Sequence, residues 1–86
     1  MATPRRRKRQ TSAGAAAWIG AGLATRRLQL GMTQAELADL AGVSRSSVQS
    51  IEAGRETIQL DRVLAITDTL GCELSLTTRS GTPILP

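Results

Sequence analysis

Between residues 33 and 54 the chain carries two helix starts separated by a break, and this spacing restricts the fold more than any other feature. Thr33 is followed three residues later by Glu36, the pattern of a reciprocal capping box in which each side chain satisfies an orphan amide at the helix start. A helix is predicted from Gln34 to about Ala41. Gly42 ends it by supplying a positive φ angle. Ser44 then caps a further helix that turns Val48 and Ile51 inward and Arg45, Ser46, Gln49 and Ser50 outward. Gly54 stops that helix.

The flanking segments supply what packs against this pair. From about Ala15 to Leu30, Ile19, Leu23, Arg27 and Leu30 recur on one helical stripe, and Gly31 is a left-handed cap. A last helix, from about Leu60 to Leu70, is expected to bury Leu60, Val63, Leu64, Ile66 and Leu70, with Asp61 in its first turn where the macrodipole favours negative charge. Beyond Gly71 the period changes to two: Cys72, Leu74, Leu76 and Thr78 lie on one side, Glu73, Ser75, Thr77 and Arg79 on the other. Residues 72–79 therefore read as a strand, and the two prolines and the glycine of residues 80–86 as an extended, flexible tail. Trp18 is the only aromatic residue, so Leu, Ile, Val and Ala must fill the interior, which suits helices better than sheets. With 86 residues, one all-α domain over residues 15–71 is expected.

The formal net charge is +4, but Arg5, Arg6, Arg7, Lys8 and Arg9 are five of the eleven basic residues, and the remaining six face seven acidic ones. Residues 1–14 thus read as a disordered basic arm on a nearly neutral body, an arrangement that favours nucleic-acid binding over a uniformly basic coat. Cys72 alone cannot form an intramolecular disulfide, and without histidine there is no metal cluster and no general base of the usual kind. Charge does not by itself identify the ligand; a protein of the reducing cytoplasm, with no cofactor, no metal and no enzymatic activity, is the expectation. The stretch Ala13 to Ala24 superficially resembles a signal peptide, but the first helix needs it, and no segment reaches the roughly 18 to 20 apolar residues of a membrane span.

Two short helices joined through Gly42 and Val43, the second studded with small polar groups, have the layout that lets a helix lie in the DNA major groove. The run from Arg27 to Gly54, RLQLGMTQAELADLAGVSRSSVQSIEAG, resembles the Cro and phage-repressor helix-turn-helix, or XRE family, and the similarity continues through LDRVLAITDTLG. The resemblance implies a lambda-repressor-like domain of four to five helices. It also implies that Arg45, Ser46 and Ser50 face base edges, Arg45 foremost because its fork can bind guanine O6 and N7 together. Gln49 shares that outward face, while Thr33, Gln34, Ser47 and Arg55 match positions that hold the DNA backbone. Arg27 and Glu52 match a partly buried structural ion pair.

A lone strand has unpaired edges, and nothing else in the chain reads as its partner. Antiparallel pairing of Cys72, Leu74, Leu76 and Thr78 with the same segment of a second copy would give a twofold dimer suited to an inverted-repeat operator. A helix-turn-helix domain followed directly by GCELSLTTR is similar to the HipB-type antitoxins, which implies a HipA-like kinase toxin as partner; a stand-alone XRE regulator is the alternative. The basic arm has three readings: minor-groove or phosphate tracking, toxin contact, or solubility.

Overall fold

The computed structural model describes residues 12–55 and 57–86, with the backbone alone for residues 12 and 13. Arg5, Arg6, Arg7, Lys8 and Arg9 lie outside the described residues. Among those described, four helices form: α1 (Ser12–Gln29), α2 (Gln34–Ala41), α3 (Arg45–Glu52) and α4 (Leu60–Thr69). The chain is all-α, as expected, with α1 starting three residues earlier than its apolar pattern suggested.

The capping reading of α2 is borne out atom by atom. Thr33 Oγ1 accepts from the Glu36 amide at 3.0 Å, and Glu36 Oε1 accepts from the Thr33 amide at 2.8 Å. The bond from the Thr33 amide, followed by the nearby Thr33 hydroxyl, holds the exposed Glu36 carboxyl below its ordinary pKa. At the other end Gly42 has φ 72°, where a side chain would be strained, and its amide reaches the carbonyls of Ala38 and Asp39.

Leu23, Leu37, Ala38, Val48, Ile51, Val63, Ile66 and Leu70 form one core, edged by Ile19, Met32, Ala41, Val43 and Ile58. The helices contribute unequally. On α4 the stripe facing inward is Val63, Ile66, Thr67 and Leu70, so Leu60 and Leu64, expected inside, are exposed by 65% and 47%. The helix is rotated so that both lie outside the core. Buried Thr67 is accommodated because its hydroxyl donates to the Val63 carbonyl at 2.7 Å. Leu30, placed on the inward stripe of α1 by its spacing, is likewise exposed.

Two contacts fix α1. A Cβ at Gly20 would lie 2.1 Å from the Ile51 carbonyl oxygen, so only glycine lets α1 cross the end of α3 this closely. Arg26 Nε donates to the Leu70 carbonyl at 3.0 Å, which satisfies an orphan acceptor at the end of α4.

Beyond α4 the expected strand is modified. No strand element forms among the described residues, and the pairing partner of residues 76–78 lies in the chain's own tail. Thr78 donates its amide to Thr82 O and Ile84 to Leu76 O, both at 2.8 Å, around an antiparallel bridge between Thr77 and Pro83. Thr77 and Pro83 form the pair that exchanges no hydrogen bonds with each other, so proline's missing N–H costs nothing there. The turn is closed by Gly81, at φ 96°, whose amide donates to Thr78 O at 2.9 Å. Residues 82–84 of the extended tail thus pair with residues 76–78.

Candidate nucleic-acid interface

The site begins with the start of α3. Ser44 is extended (φ −76°, ψ 153°) and its Oγ accepts from the Ser47 amide at 3.1 Å, which caps the helix. Val48 and Ile51 anchor α3 in the core, so Arg45, Ser46 and Gln49 are exposed and Ser50 is half-buried. Arg45 pairs with no carboxylate among the described residues. Its five donors are available to an acceptor-rich edge.

Ser47 is different. It is 9% exposed, with its Oγ 2.8 Å from Ser44 Oγ and 3.3 Å from Arg62 Nη1. Its hydroxyl is therefore engaged inside the protein, and the group that stands outside it is the Arg62 guanidinium. Arg62 was not singled out in the sequence, because a basic residue in the first turn of α4 carries no local sign of a contact fifteen positions away. An open cleft of about 250 Å³ lies beside it, lined by Ser46, Ser47, Ser50, Thr57, Ile58, Gln59 and Arg62. Hydroxyls, an amide and a guanidinium are the donors that an anionic phosphate oxygen accepts from.

The opposite side of α3 is braced by a network. Arg27 donates from Nε to Glu52 Oε2 at 2.7 Å, from Nη2 to Glu52 Oε1 at 3.0 Å and from Nη1 to the Met32 carbonyl at 2.7 Å. Gln34 Nε2 donates to Glu52 Oε1 at 2.9 Å. Burial alone would raise the Glu52 pKa, but the hydrogen bonds from Arg27 and Gln34 outweigh it and hold the carboxyl below its ordinary value. The same bond to Glu52 raises Arg27. One carboxylate thereby joins α1, the first residue of α2 and the last residue of α3. Gln34 keeps its second Nε2 proton for another acceptor. Thr33 is exposed at the cap, and Arg55 is exposed just past Gly54.

A family model described as Helix-turn-helix matches residues 23–76, well over half the chain. The chain belongs to the XRE-type helix-turn-helix family. It is 38% identical over 58 residues to an uncharacterized HTH-type transcriptional regulator, y4mF, of Sinorhizobium fredii, spanning 67% of this chain and 76% of that protein. Among solved structures, the restriction-modification controller protein C.AhdI from Aeromonas hydrophila is 30% identical, with a TM-score of 0.62 over 69% of this chain and 89% of its own. A chain of the HipA-HipB-O2-O3 complex shares the fold with a TM-score of 0.70 at 20% identity, covering 85% of this chain and 97% of that one. A HipB variant in complex with an O2 20mer shares it with a TM-score of 0.68 at 22% identity, over 85% and 96% of the two chains. This XRE-type protein is thus a DNA-binding transcriptional regulator by family. Among its described residues, no helix is long and apolar enough to cross a membrane.

The remaining residues singled out in the sequence lie apart from α3. Cys72, Leu74, Leu76 and Thr78 are exposed on the segment after α4. Leu74 lines two hollows, of about 160 and 210 Å³, and Ile19 lines both with it. Leu60 borders the first hollow and Trp18, which is 75% exposed, borders the second. A further residue missed in the sequence is Gly20; a glycine inside a helical pattern is the signal that marks such a close approach.

Proposed function

We propose that this chain is a sequence-specific, cytoplasmic transcriptional repressor that binds an inverted-repeat operator as a homodimer. The observation that carries the reading is the outward face of α3, where exposed Arg45, Ser46 and Gln49 stand on a helix capped at its start and braced at its end by Glu52. In this reading Arg45, Ser46, Gln49 and Ser50 meet base edges, and Thr33, Gln34 and Arg55 belong to the surface that follows the backbone, with Arg62 standing where buried Ser47 was expected. The arm of Arg5, Arg6, Arg7, Lys8 and Arg9 adds phosphate contacts.

The second copy is supported by apolar surface with no cover. Trp18, Leu60, Leu74 and Leu76 are exposed by 75%, 65%, 41% and 68%, large apolar side chains that no other described residue covers. Joined across a twofold axis through residues 72–79, two copies would address half-sites about one turn, roughly 34 Å, apart.

The likeness to HipB chains, over 85% of the sequence, supports the role of antitoxin and autorepressor beside a HipA-like kinase toxin. The 30% identity to a restriction-modification controller favours the second reading, a stand-alone regulator. Co-expression with a kinase encoded in the neighbouring gene separates them, since only an antitoxin relieves that kinase's toxicity.

The DNA reading is tested by selecting duplexes from a random-sequence pool and measuring their affinity for Arg45→Ala. Discrimination at one guanine step should fall by about 1 to 3 kcal/mol. An Arg45→Ala protein that binds the selected duplex and scrambled DNA as the wild type does would remove α3 as the reading helix.

A further inference from the structure

The segment that follows α4 has two edges, and they are occupied differently. Thr78 donates its amide to Thr82 O and the Leu76 carbonyl accepts from the Ile84 amide, both at 2.8 Å, so the backbone groups of Leu76 and Thr78 point to the chain's own tail. Backbone groups alternate along an extended chain, so the N–H and C=O of Thr77, and by the same period those of Ser75, point to the opposite edge. Among the described residues neither backbone has a hydrogen-bond partner, and both residues are exposed. The tail side is closed. Pro83 stands opposite Thr77 in the pair that exchanges no hydrogen bond, so its nitrogen faces away from Thr77, where proline has no N–H to offer a further strand. The paired segment thus presents one open edge, at Ser75 and Thr77, and one blunted by Pro83.

We infer that Ser75 and Thr77 form the seam of a symmetric pair: two copies join antiparallel across a twofold axis at Leu76, and Pro83 stops the resulting sheet from adding a third. This rests on the homodimer reading above and deepens it. The occupant of the open edge is a second copy because the edge is complementary to itself. With Leu76 on the axis, Ser75 stands opposite Thr77 of the second copy, the two exchange both their backbone bonds, and the twofold repeats the exchange. The same register sets Glu73 opposite Arg79 of the second copy, where the long side chain of Arg79, at the start of the turn, meets a carboxylate. An axis at Leu74, Ser75 or Thr77 puts neither charge directly opposite the other. Leu76, which is 68% exposed, would then pack against its own counterpart.

Sedimentation of the full chain at micromolar concentration establishes the assembly, which should be a dimer and no larger. Single cysteines are then placed in a Cys72→Ser background and oxidised. Leu76→Cys should cross-link readily, because residues facing each other in a pair without mutual hydrogen bonds have Cα atoms about 4.5 Å apart, a separation that a disulfide spans. Ser75→Cys should not, since its counterpart is displaced by two residues, about 7 Å, along the seam. Thr77→Pro removes an N–H that the pairing with the tail does not use. It should raise the dimer dissociation constant by about thirtyfold, the worth of two neutral hydrogen bonds, and leave the helical circular dichroism unchanged. Where the proline disturbs the fold, the two cysteine variants decide. A dimeric wild type in which Leu76→Cys cross-links no better than Ser75→Cys overturns the seam, as does a folded Thr77→Pro dimer of unchanged affinity. Oligomers larger than the dimer overturn the closure by Pro83. A monomeric wild type removes the homodimer reading itself, a result distinct from the others.

Discussion

Arg27 and Glu52, one on α1 and the other closing α3, form a two-bond ion pair with 2.7 and 3.0 Å contacts and side chains only 11% and 8% exposed. The guanidinium spends its remaining reach on the Met32 carbonyl, and the carboxylate takes a third bond from Gln34. The pair therefore does more than attract: it ties the two ends of the recognition unit to α1. Arg27→Ala should lower the unfolding free energy by about 3 to 5 kcal/mol, because Glu52 is left buried without its charge partner. Denaturant unfolding measures it, and a loss below about 1 kcal/mol would be that of a solvent-screened surface pair.

The same carboxylate gives the fold an acid-sensitive component. The folded-state pKa of Glu52 lies below its unfolded value, so ionised Glu52 favours the folded chain. That contribution is complete above the ordinary glutamate range and is lost as pH falls through the depressed folded value. Denaturation midpoints taken from about pH 6 to about pH 3 should fall more steeply for the wild type than for Glu52→Gln, which cannot take up the proton. Parallel curves would assign the acid sensitivity to other groups.

Gly20 and Gly22 lie in the same helix and should respond oppositely to alanine. At Gly22 an added Cβ meets nothing within 4 Å, so the helix gains about 0.5 to 1 kcal/mol from reduced backbone freedom. At Gly20 the Cβ would lie 2.1 Å from Ile51 O, a backbone atom that cannot turn aside. Gly20→Ala should therefore cost about 1 to 3 kcal/mol despite the better helix former. Thermal unfolding of the two variants reads the sign directly, and a stabilised Gly20→Ala would mean that α1 does not cross α3 this closely.

Leu74 borders both apolar hollows beside α1, which makes it the sharpest probe of the proposed dimer. The wild type should sediment as a dimer at micromolar concentration and Leu74→Lys as a folded monomer with a wild-type helical spectrum. A wild type that is monomeric under these conditions would rule out the shared surface.

Much of the recognition unit was legible in order. Thr33 and Glu36 announce α2, Gly42 ends it and Ser44 opens α3, because each of these signals acts over three or four residues and needs no knowledge of the rest of the chain. The inward turn of Val48 and Ile51 follows from helical period alone. Resemblance to a family supplied the Arg27 and Glu52 pairing, which spacing could not, since the residues stand 25 positions apart.

The amino-acid order by itself thus determined where helices begin and end around α2 and α3, which face of α3 is polar, and that the interior is aliphatic. Tertiary structure decided how each helix is rotated and how near it comes to its neighbours. That is why Leu60 and Leu64 emerged on the surface, why Ser47 turned inward to Arg62, and why Gly20 proved indispensable to the crossing. It also decided that Pro83, a poor strand residue by composition, can face Thr77 in a bridge where no N–H is required of it. Caps and periods are set by neighbours along the chain; contacts between elements are set by packing, where one ångström separates a fit from a clash.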